Sequence, residues 1–537
     1  MIVARSPGGW FVEDPVKIEV ARTQTHTRPH VIRSFLLAVG VGTLVACGAS
    51  SSSVEKAPEA DLTLRDLPVQ MAIPTLHTFD QVLDHASQTT DTVNQRYWFS
   101  KGFATTASSP TILYICGEGP CSIAEGVSVA DTARGLGAAV LIVEHRYYGE
   151  SLPFATPKVG DMKYLNIHNA LEDLAAIQKS VAREQGIEGK WISAGGSYAG
   201  MLAAFYRLKH PELVAGAWAS SAPVNVVKKF TGYDARAART LGPTCALLTR
   251  QAMASVATQF ADPARKKEIV ERWWGRTLSE AQVDQVDPMW ISWGVSSDAT
   301  FGAQYGKSKN FCDALVLHES NPLDGWLGYA RPPLFADAFD DAGAPPHGPG
   351  DADAGVTTTT ASADRGLSDG GSTPPTGFPR FHRYPAPADE GGNAENDFTP
   401  PISAWDYQTC TEVGFFQVHN DDQTESVFDD AANEALYTQG CTDTYNTQPD
   451  IEGTRKTYYE PLMAGAATNI LFTNGTEDPW STLSLTDASA APAGISVFVV
   501  QGGSHCSDLT NLSRTSSLGV FEAHVRLNTL AKGWLGL

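Results

Sequence analysis

The chain has 537 residues, and its hydrophobic fraction of 42% is enough for a large buried core. Its formal net charge of −21 and its lack of a basic stripe exclude a nucleic-acid-binding function, which needs clustered lysine and arginine. The length exceeds one average domain, although α/β enzymes also reach it when a cap is inserted into a single catalytic core.

The N-terminus has the features of an export signal. Three arginines between residues 22 and 33 precede the apolar run Phe35–Ala46, and Cys47 follows it directly. So short a run fits the h-region of a secretory signal, because a membrane-spanning helix needs about 20 residues. Residues 44–47 look like a bacterial lipobox, in which the cysteine is lipidated; an ordinary cleaved signal is the alternative. We expect an exported protein, either secreted or a cell-envelope lipoprotein, that touches a membrane only through a lipid anchor.

Strands and helices are predicted to alternate in the first and last parts of the chain. Short apolar runs bounded by turn residues indicate buried parallel strands, and apolar side chains at helical spacing indicate helices. In chain order the predicted elements are strands Thr111–Ile115 and Ala139–Glu144, helix Asn169–Glu184, strand Lys190–Ser193, helix Met201–Lys209, strands Asn469–Thr473 and Ile495–Val500, and helix Phe521–Trp534. This alternation is typical of a doubly wound, mostly parallel sheet.

The middle of the chain differs in composition. Residues 226–330 have helical periodicity and many tryptophans, whereas residues 337–400 are dominated by Asp, Gly, Pro, Ala, Ser and Thr and predict a disordered insertion. The expected organisation is an upstream segment and lipoprotein-type signal (1–47), a flexible tether (48–70), the first half of an α/β core (71–225), a helical cap carrying the insertion (226–455), and the second half of the core (456–537).

The segment Lys190–Met201 carries the strongest local motif. A predicted strand runs into a turn of small residues with Ser197 at its apex, and a helix follows at once. This is the nucleophile elbow of an α/β-hydrolase, in which small neighbours allow a strained turn to expose the serine. Gly195 fits the usual pattern, but Ala199 stands where a second glycine is common. A glycine-rich turn that binds phosphate or only packs is the alternative, and neither GxGxxG nor a P-loop pattern is present.

A serine nucleophile needs a base and an orienting carboxylate, which in this fold follow late strands in the order acid, then histidine. Asp478 comes shortly after strand Asn469–Thr473, and His505 shortly after strand Ile495–Val500. Glu477 is the rival acid. The order and the positions predict a Ser197, Asp478, His505 triad.

The oxyanion of a tetrahedral intermediate needs two N–H donors. One is expected from the backbone of Tyr198, directly after the nucleophile. The other is expected from Gly117 or Glu118, in the open loop after strand Thr111–Ile115; a simple turn is the alternative for these glycines.

Eight cysteines are present, and seven remain if Cys47 is lipidated, so at least one thiol is unpaired. Export favours disulfides, although sequence alone does not give their connectivity. The candidate pairs are Cys116–Cys121, Cys245–Cys312 and Cys410–Cys441. No CxxC pair occurs, and neither a metal nor a cofactor is expected.

The sequence resembles the serine carboxypeptidase S28 family from about residue 70 to the end, apart from residues 337–400. The similar stretches are Gln95–Trp98, Gly117–Gly119, Glu144–Ser151, Gly195–Met201, His210–Gly216, Ala219–Pro223, Tyr407–Glu412, Asn474–Trp480 and Ser504–Leu509. The resemblance implies an α/β-hydrolase peptidase that acts near chain ends, often after proline, beneath a helical cap.

The resemblance also implies roles for single residues. The triad positions carry over unchanged, Met201 and Trp480 match positions that line a prolyl pocket, and Phe415 lies where another pocket residue is expected. The alternative for Met201 and Trp480 is that they are ordinary core residues. Glu412 would face a substrate amine or be a structural acid. The Cys410–Cys441 spacing looks like a disulfide of the family's cap. Cys506, beside the predicted base, is expected to be the spare thiol.

The predicted function is a serine exopeptidase that hydrolyses short peptides at proline-containing bonds through an acyl-enzyme. Two rivals stay open: a lipase or esterase on the same fold, and an inactive lipoprotein that only binds. The expected partners are peptide substrates. The sequence leaves the oligomeric state open, a homodimer included.

Overall fold

The computed structural model describes residues 71–330 and 403–537, apart from residues 88, 124, 125 and 127. Eight strands form one sheet in the order β1-β2-β4-β3-β5-β6-β9-β10, and β7 and β8 form a separate pair. The strands are β1 (Thr75–Val82), β2 (Thr92–Ser100), β3 (Thr111–Ile115), β4 (Ala139–Val143), β5 (Trp191–Gly196), β6 (Gly216–Ser220), β7 (Val227–Lys229), β8 (Gly414–Phe416), β9 (Ile470–Gly475) and β10 (Ile495–Val500).

The sheet is parallel from β4 to β10, and the antiparallel hairpin β1–β2 lies at one edge. Every residue of β3, β4, β6 and β9 is buried, as expected for parallel strands covered on both faces by helices. The five predicted strands are confirmed with small shifts at their ends. The sequence analysis missed β1, β2 and β6.

Helices cover both faces of the sheet. They are α1 (Ala130–Leu136), α2 (Ile167–Gln185), α3 (Ser197–Lys209), α4 (Thr231–Phe260), α5 (Pro263–Trp274), α6 (Glu280–Asp284), α7 (Pro288–Gln304), α8 (Ser308–Leu317), α9 (Pro322–Tyr329), α10 (Ala404–Gln408), α11 (Glu434–Tyr445), α12 (Ile451–Thr454), α13 (Glu460–Met463) and α14 (Leu518–Leu535). The segments Thr409–Val413 and Arg455–Tyr459 are π-helical, and Val159–Tyr164, Gln423–Glu425 and Pro479–Leu483 are 3₁₀ turns. Helices α2 and α3 bury apolar side chains on one face, and α1 and α14 on the other. The predicted α/β-hydrolase fold is confirmed.

Helices α4 to α9 pack around a second hydrophobic core, in the part of the chain that is predicted to be a helical cap. Trp273, Trp326 and Phe311 are buried there, and burying a side chain of phenylalanine size contributes roughly 1.5–3 kcal/mol. Helix α4 is kinked at Gly242, whose φ of 78° is not helical and which precedes Pro243. The predicted signal, tether and insertion lie outside the described residues, and the domain boundaries stay a prediction.

Three disulfides link the described cysteines. They join Cys116 to Cys121, Cys245 to Cys312 and Cys410 to Cys441, which are the candidate pairs of the sequence analysis. The pair of 245 and 312 connects α4 to α8 across the cap. Within the same described residues, no helix has the length and apolar character to cross a membrane.

Candidate active site

Ser197 occupies a strained turn between β5 and α3. Its φ is +57°, a left-handed conformation that costs a serine free energy and is typical of functional sites. A side chain at Gly195 would place Cβ 2.5 Å from the carbonyl oxygen of Ala199, and one at Gly200 would place it 2.6 Å from that of Ser220. The crowded backbone therefore requires glycine at both positions, and the structure accommodates Ala199. This is the geometry of the nucleophile elbow.

Asp478 and His505 lie on the loops that follow β9 and β10. The Nδ1 atom of His505 is 2.9 Å from Oδ1 of Asp478, and Asp478 is completely buried. A carboxylate can only accept a hydrogen bond, so Nδ1 carries the donated proton and Nε2 is left as the basic nitrogen. The same Oδ1 accepts the backbone N–H of Trp480 at 2.9 Å. Glu477, the rival acid, is half-buried and offers its backbone N–H to the carbonyl of Gly503.

The loop that carries His505 is held against the nucleophile elbow. The backbone N–H of Cys506 donates to Oγ of Ser221 at 2.9 Å, and its sulfur lies so close to Gly196 that a Cβ there would be 2.8 Å from it. The buried Asp508 carboxylate accepts from the Ser220 hydroxyl at 2.7 Å. These contacts bring the histidine loop to the residue that directly precedes Ser197.

The electrostatic surroundings suit His505 to act as a base. Burial lowers the pKa of its imidazole, but the Asp478 carboxylate and the neighbouring Cys506 raise it by more, so the net pKa lies well above the ordinary value of 6.5. A basic imidazole beside a buried carboxylate is the arrangement that removes a proton from a serine hydroxyl. Cys506 is the free cysteine among the described residues.

The predicted oxyanion donors lie around the same elbow. The last ladder bond of β3 runs from the N–H of Cys116 to the carbonyl of Val143, after which the chain leaves the sheet at Gly117. A Cβ at Gly117 would be 3.8 Å from that of Ala199, so the loop passes beside the start of α3. Burial raises the pKa of the Glu118 carboxyl, and His505 is among the groups that lower it. The loop of the predicted donors therefore lies beside the turn that carries Ser197.

A buried hydrogen-bond chain fixes Tyr198, the residue after Ser197, and the sequence analysis did not predict it. The Nδ1–H of His145 donates to the carbonyl of Arg146, so its Nε2 accepts from the hydroxyl of Tyr198. That hydroxyl in turn accepts from Nε2 of Gln408, whose Oε1 accepts from the hydroxyl of Tyr148. Burial lowers the pKa of His145 to about 4, so the ring is neutral at neutral pH and the direction of the chain is fixed.

Trp480 is surrounded by aromatic rings next to His505. Its ring centroid lies 5.2 Å from that of Phe230, 5.4 Å from Phe415 and 5.7 Å from Tyr233, and 6.1 Å from the imidazole of His505. We call Phe230, Tyr233, Phe415, Phe428 and Trp480 the aromatic cluster. Sequence reasoning predicted Phe415 and Trp480 and missed the other three members, because long-range packing brings them together.

Met201 and Glu412 occupy different surroundings. Met201 lies one turn after Ser197 on α3, is fully buried, and belongs to the same hydrophobic core as the aromatic cluster. Glu412 accepts the backbone N–H of Ile167 at 2.9 Å, at the first turn of α2. Burial raises the pKa of its carboxyl to about 7, and that carboxyl acts on the pKa of Tyr198.

Comparison with known proteins agrees with this architecture. The model of the serine carboxypeptidase S28 family matches residues 81–307 and 388–525. The thymus-specific serine protease of Mus musculus is 28% identical over 497 residues, 86% of this chain and 88% of the relative. The lysosomal Pro-X carboxypeptidase of Bos taurus is 26% identical over 462 residues, 80% of this chain and 81% of the relative.

Solved structures match over a smaller part. An esterase of Pyrococcus furiosus is 19% identical over 30% of this chain and 55% of its own, with a TM-score of 0.22. An acylaminoacyl peptidase of Pyrococcus horikoshii is 11% identical over 30% of this chain and 24% of its own, with a TM-score of 0.23. The chain thus matches at most about half the length of these two structures.

Proposed function

The chain belongs to the serine carboxypeptidase S28 family, and on that premise we propose that it is a serine exopeptidase that hydrolyses short peptides at proline-containing bonds. Ser197 is the nucleophile, His505 the general base and Asp478 the residue that orients the histidine. The hydrogen-bonded pair of His505 and Asp478, held against the turn that carries Ser197, supports these roles most strongly.

The proposed reaction has two halves. Nε2 of His505 takes the hydroxyl proton of Ser197 while Oγ attacks the peptide carbonyl, and the backbone N–H groups of Tyr198 and Gly117 or Glu118 hold the oxyanion. The C–N bond then breaks, the imidazolium gives its proton to the leaving amine, and an acyl-enzyme remains. Water, deprotonated by His505, hydrolyses that ester and returns Ser197.

The aromatic cluster supports preference for proline. A proline ring has no polar group to satisfy, so a flat apolar wall beside the histidine suits it. A lysine or glutamate side chain in the same place would lose its hydration without a partner, which costs several kcal/mol. Trp480 and Phe415 supply the wall, and Met201 lies in the core beneath it. The scissile residue is therefore proline or a small apolar residue.

Glu412 is our candidate for the group that binds the peptide's amino end. Desolvation disfavours the ionised form of the Glu412 carboxyl, and its pKa is raised to about 7 although the N–H of Ile167 lowers it. A protonated substrate amine would restore its charge and form a charge-assisted hydrogen bond. The mouth of the site would then favour short peptides with a free amino group.

We propose export for the chain, because disulfides persist in oxidising compartments and the described residues contain three of them. Lipidation of Cys47 would anchor it. Full-length protein should sediment with membranes and be released by detergent, and Cys47→Ala should appear in the soluble fraction. Soluble wild-type protein would contradict the anchor and leave the peptidase proposal untouched.

Reporter substrates that differ only in the scissile residue test the proline preference. Proline and alanine should be cleaved well and lysine poorly, and Trp480→Ala should reduce the prolyl rate at least tenfold because the wall is lost. Trp274→Ala is the matched control, since Trp274 is equally buried but lies in the core of the cap. Equal cleavage after lysine and proline would refute the proposed prolyl pocket. Cleavage of esters but not of peptides would favour the esterase alternative.

A further inference from the structure

Gln304, the last residue of α7, links the helical cap to the catalytic loops. It is 3% exposed. Its backbone carbonyl accepts the N–H of His505 at 2.8 Å. Its side-chain Oε1 accepts both the indole N–H of Trp480 at 3.2 Å and the hydroxyl of Tyr233 at 2.7 Å. One cap residue thus bonds the catalytic histidine through its backbone and the aromatic cluster through its side chain.

These bonds close a ring with the triad. Asp478 Oδ1 accepts from the imidazole of His505 and from the backbone of Trp480, both at 2.9 Å. Starting at Gln304, the ring runs through His505, Asp478 and Trp480 and returns to the Gln304 side chain. A shift of the Trp480 indole therefore displaces His505 in two ways, through Gln304 and through Asp478.

The position of Gln304 at the end of a helix adds an electrostatic effect. Helix α7 has 17 residues, and the carbonyls of its last turn lack partners within the helix. The negative end of the helix dipole therefore faces the loop of His505 and favours the positive charge that the imidazole gains when it takes the serine proton.

Resting on the proposed function, we propose that Gln304 is a positioning residue that couples the aromatic cluster to the catalytic histidine and so sets the preference for proline. Its side-chain oxygen fixes the orientation of the Trp480 ring, and its backbone carbonyl fixes the position of the loop that carries His505. A substrate proline that packs against Trp480 holds the indole ring in its hydrogen bond with Oε1 of Gln304. A smaller substrate residue makes less contact and leaves the ring free to rotate.

Gln178 provides a matched control in the core. It is also 3% exposed and its Oε1 accepts a tyrosine hydroxyl (Tyr206) at 2.8 Å. It lies on α2, and its Nε2 donates to the carbonyl of Leu213 in the loop before β6. Replacing either glutamine by methionine removes the acceptor at nearly constant volume and leaves a buried hydroxyl unsatisfied. Loss of stability should therefore be similar in Gln178→Met and Gln304→Met, and only the second should alter specificity.

The experiment measures kcat/KM on prolyl and alanyl reporter peptides and the rate of fluorophosphonate labelling of Ser197 against pH. Gln304→Met should reduce kcat/KM for the prolyl peptide roughly tenfold, because buried donors lose their acceptor. It should also lower the ratio of prolyl to alanyl kcat/KM. Labelling at high pH should persist, since the backbone carbonyl remains. Gln304→Glu keeps an acceptor and should restore the ratio, while its carboxyl shifts the acid limb of labelling to higher pH.

Two results would overturn the coupling. One is a prolyl-to-alanyl ratio that Gln304→Met leaves at the wild-type value, or that Gln178→Met changes equally. The other is a pH profile of Ser197 labelling whose acid limb is unchanged in Gln304→Glu. A wild-type protein that labels but cleaves no peptide would refute the proposed function instead, and the labelling profiles would still decide the role of Gln304.

Discussion

Replacing Glu412 by glutamine should stabilise the fold and impair the enzyme. The half-buried side chain lies against the start of α2, and desolvation raises the pKa of its carboxyl from 4.5 to about 7 although the N–H of Ile167 lowers it. Glutamine keeps an oxygen that can accept this N–H and removes the charge. A residue whose loss makes the protein more stable but less active is kept for its function.

The size and sign of the effect follow from proton linkage. Between pH 4.5 and 7 the folded chain holds a proton on Glu412 that the unfolded chain has released, so stability falls as pH rises. At about 1.4 kcal/mol per pH unit the whole interval amounts to roughly 3 kcal/mol. Because the side chain is only half-buried by its surface area, water screens part of this. We expect Glu412→Gln to gain about 1–2 kcal/mol at pH 8 and almost nothing at pH 4.5.

Urea unfolding at pH 4.5 and pH 8 measures the first half of this prediction, with Glu522→Gln as an exposed control that should change nothing. Turnover of peptides with free and with acetylated amino ends measures the second half. Glu412→Gln should lower kcat/KM for the free amine roughly 10- to 100-fold, as expected for a lost charged hydrogen bond, and leave the acetylated peptide unchanged. The reasoning would be refuted if Glu412→Gln were as stable as the wild type at both pH values. It would also be refuted if the variant lost kcat/KM equally on the free and the acetylated peptide.

The raised pKa of His505 predicts that kcat/KM for an acetylated peptide increases with pH through a group that titrates above 6.5, and Asp478→Asn should lower kcat by about 10⁴-fold because the tautomer is lost. A kcat/KM profile whose acid limb lies below pH 6 would contradict the raised pKa of His505. The disulfide between Cys245 and Cys312 closes 67 residues of the cap, so Cys245→Ser with Cys312→Ser should lower the free energy of unfolding by up to about 4 kcal/mol. Calorimetry under non-reducing conditions checks it, and an unchanged melting profile would show that the cap is held by packing alone.

The elements that the sequence predicted are those whose signals are local. Strand β3 is a run of five apolar residues between turns, and the elbow around Ser197 is a run of small residues, so each can be recognised without its neighbours. Strand β6 escaped prediction because Gly216–Ser220 has no β-branched residue. It is a strand because β5 and β9 pair with it on both sides.

The parts of the site that were missed depend on contacts between distant segments. Phe230 follows β7, and it reaches Phe415 because β7 pairs with β8, which lies almost 200 residues further along the chain. Tyr233 lies one turn later and contacts Trp480. Gln304 has an unremarkable helical context in the sequence. Its partners come from α4 and from the loops after β9 and β10, which the fold packs against the end of α7.

The central claim is that Ser197 is an activated nucleophile serving peptide hydrolysis. Incubating wild-type protein and Ser197→Ala with a fluorophosphonate probe, and separately with a prolyl reporter peptide, tests it most directly. The small side chain of alanine fits the crowded turn, so the variant should unfold at nearly the wild-type urea concentration. The account predicts labelling and turnover in the wild type, and in the variant no labelling and turnover reduced at least about 10³-fold. Labelling that persists in Ser197→Ala, or a wild-type protein that neither labels nor cleaves, would contradict it.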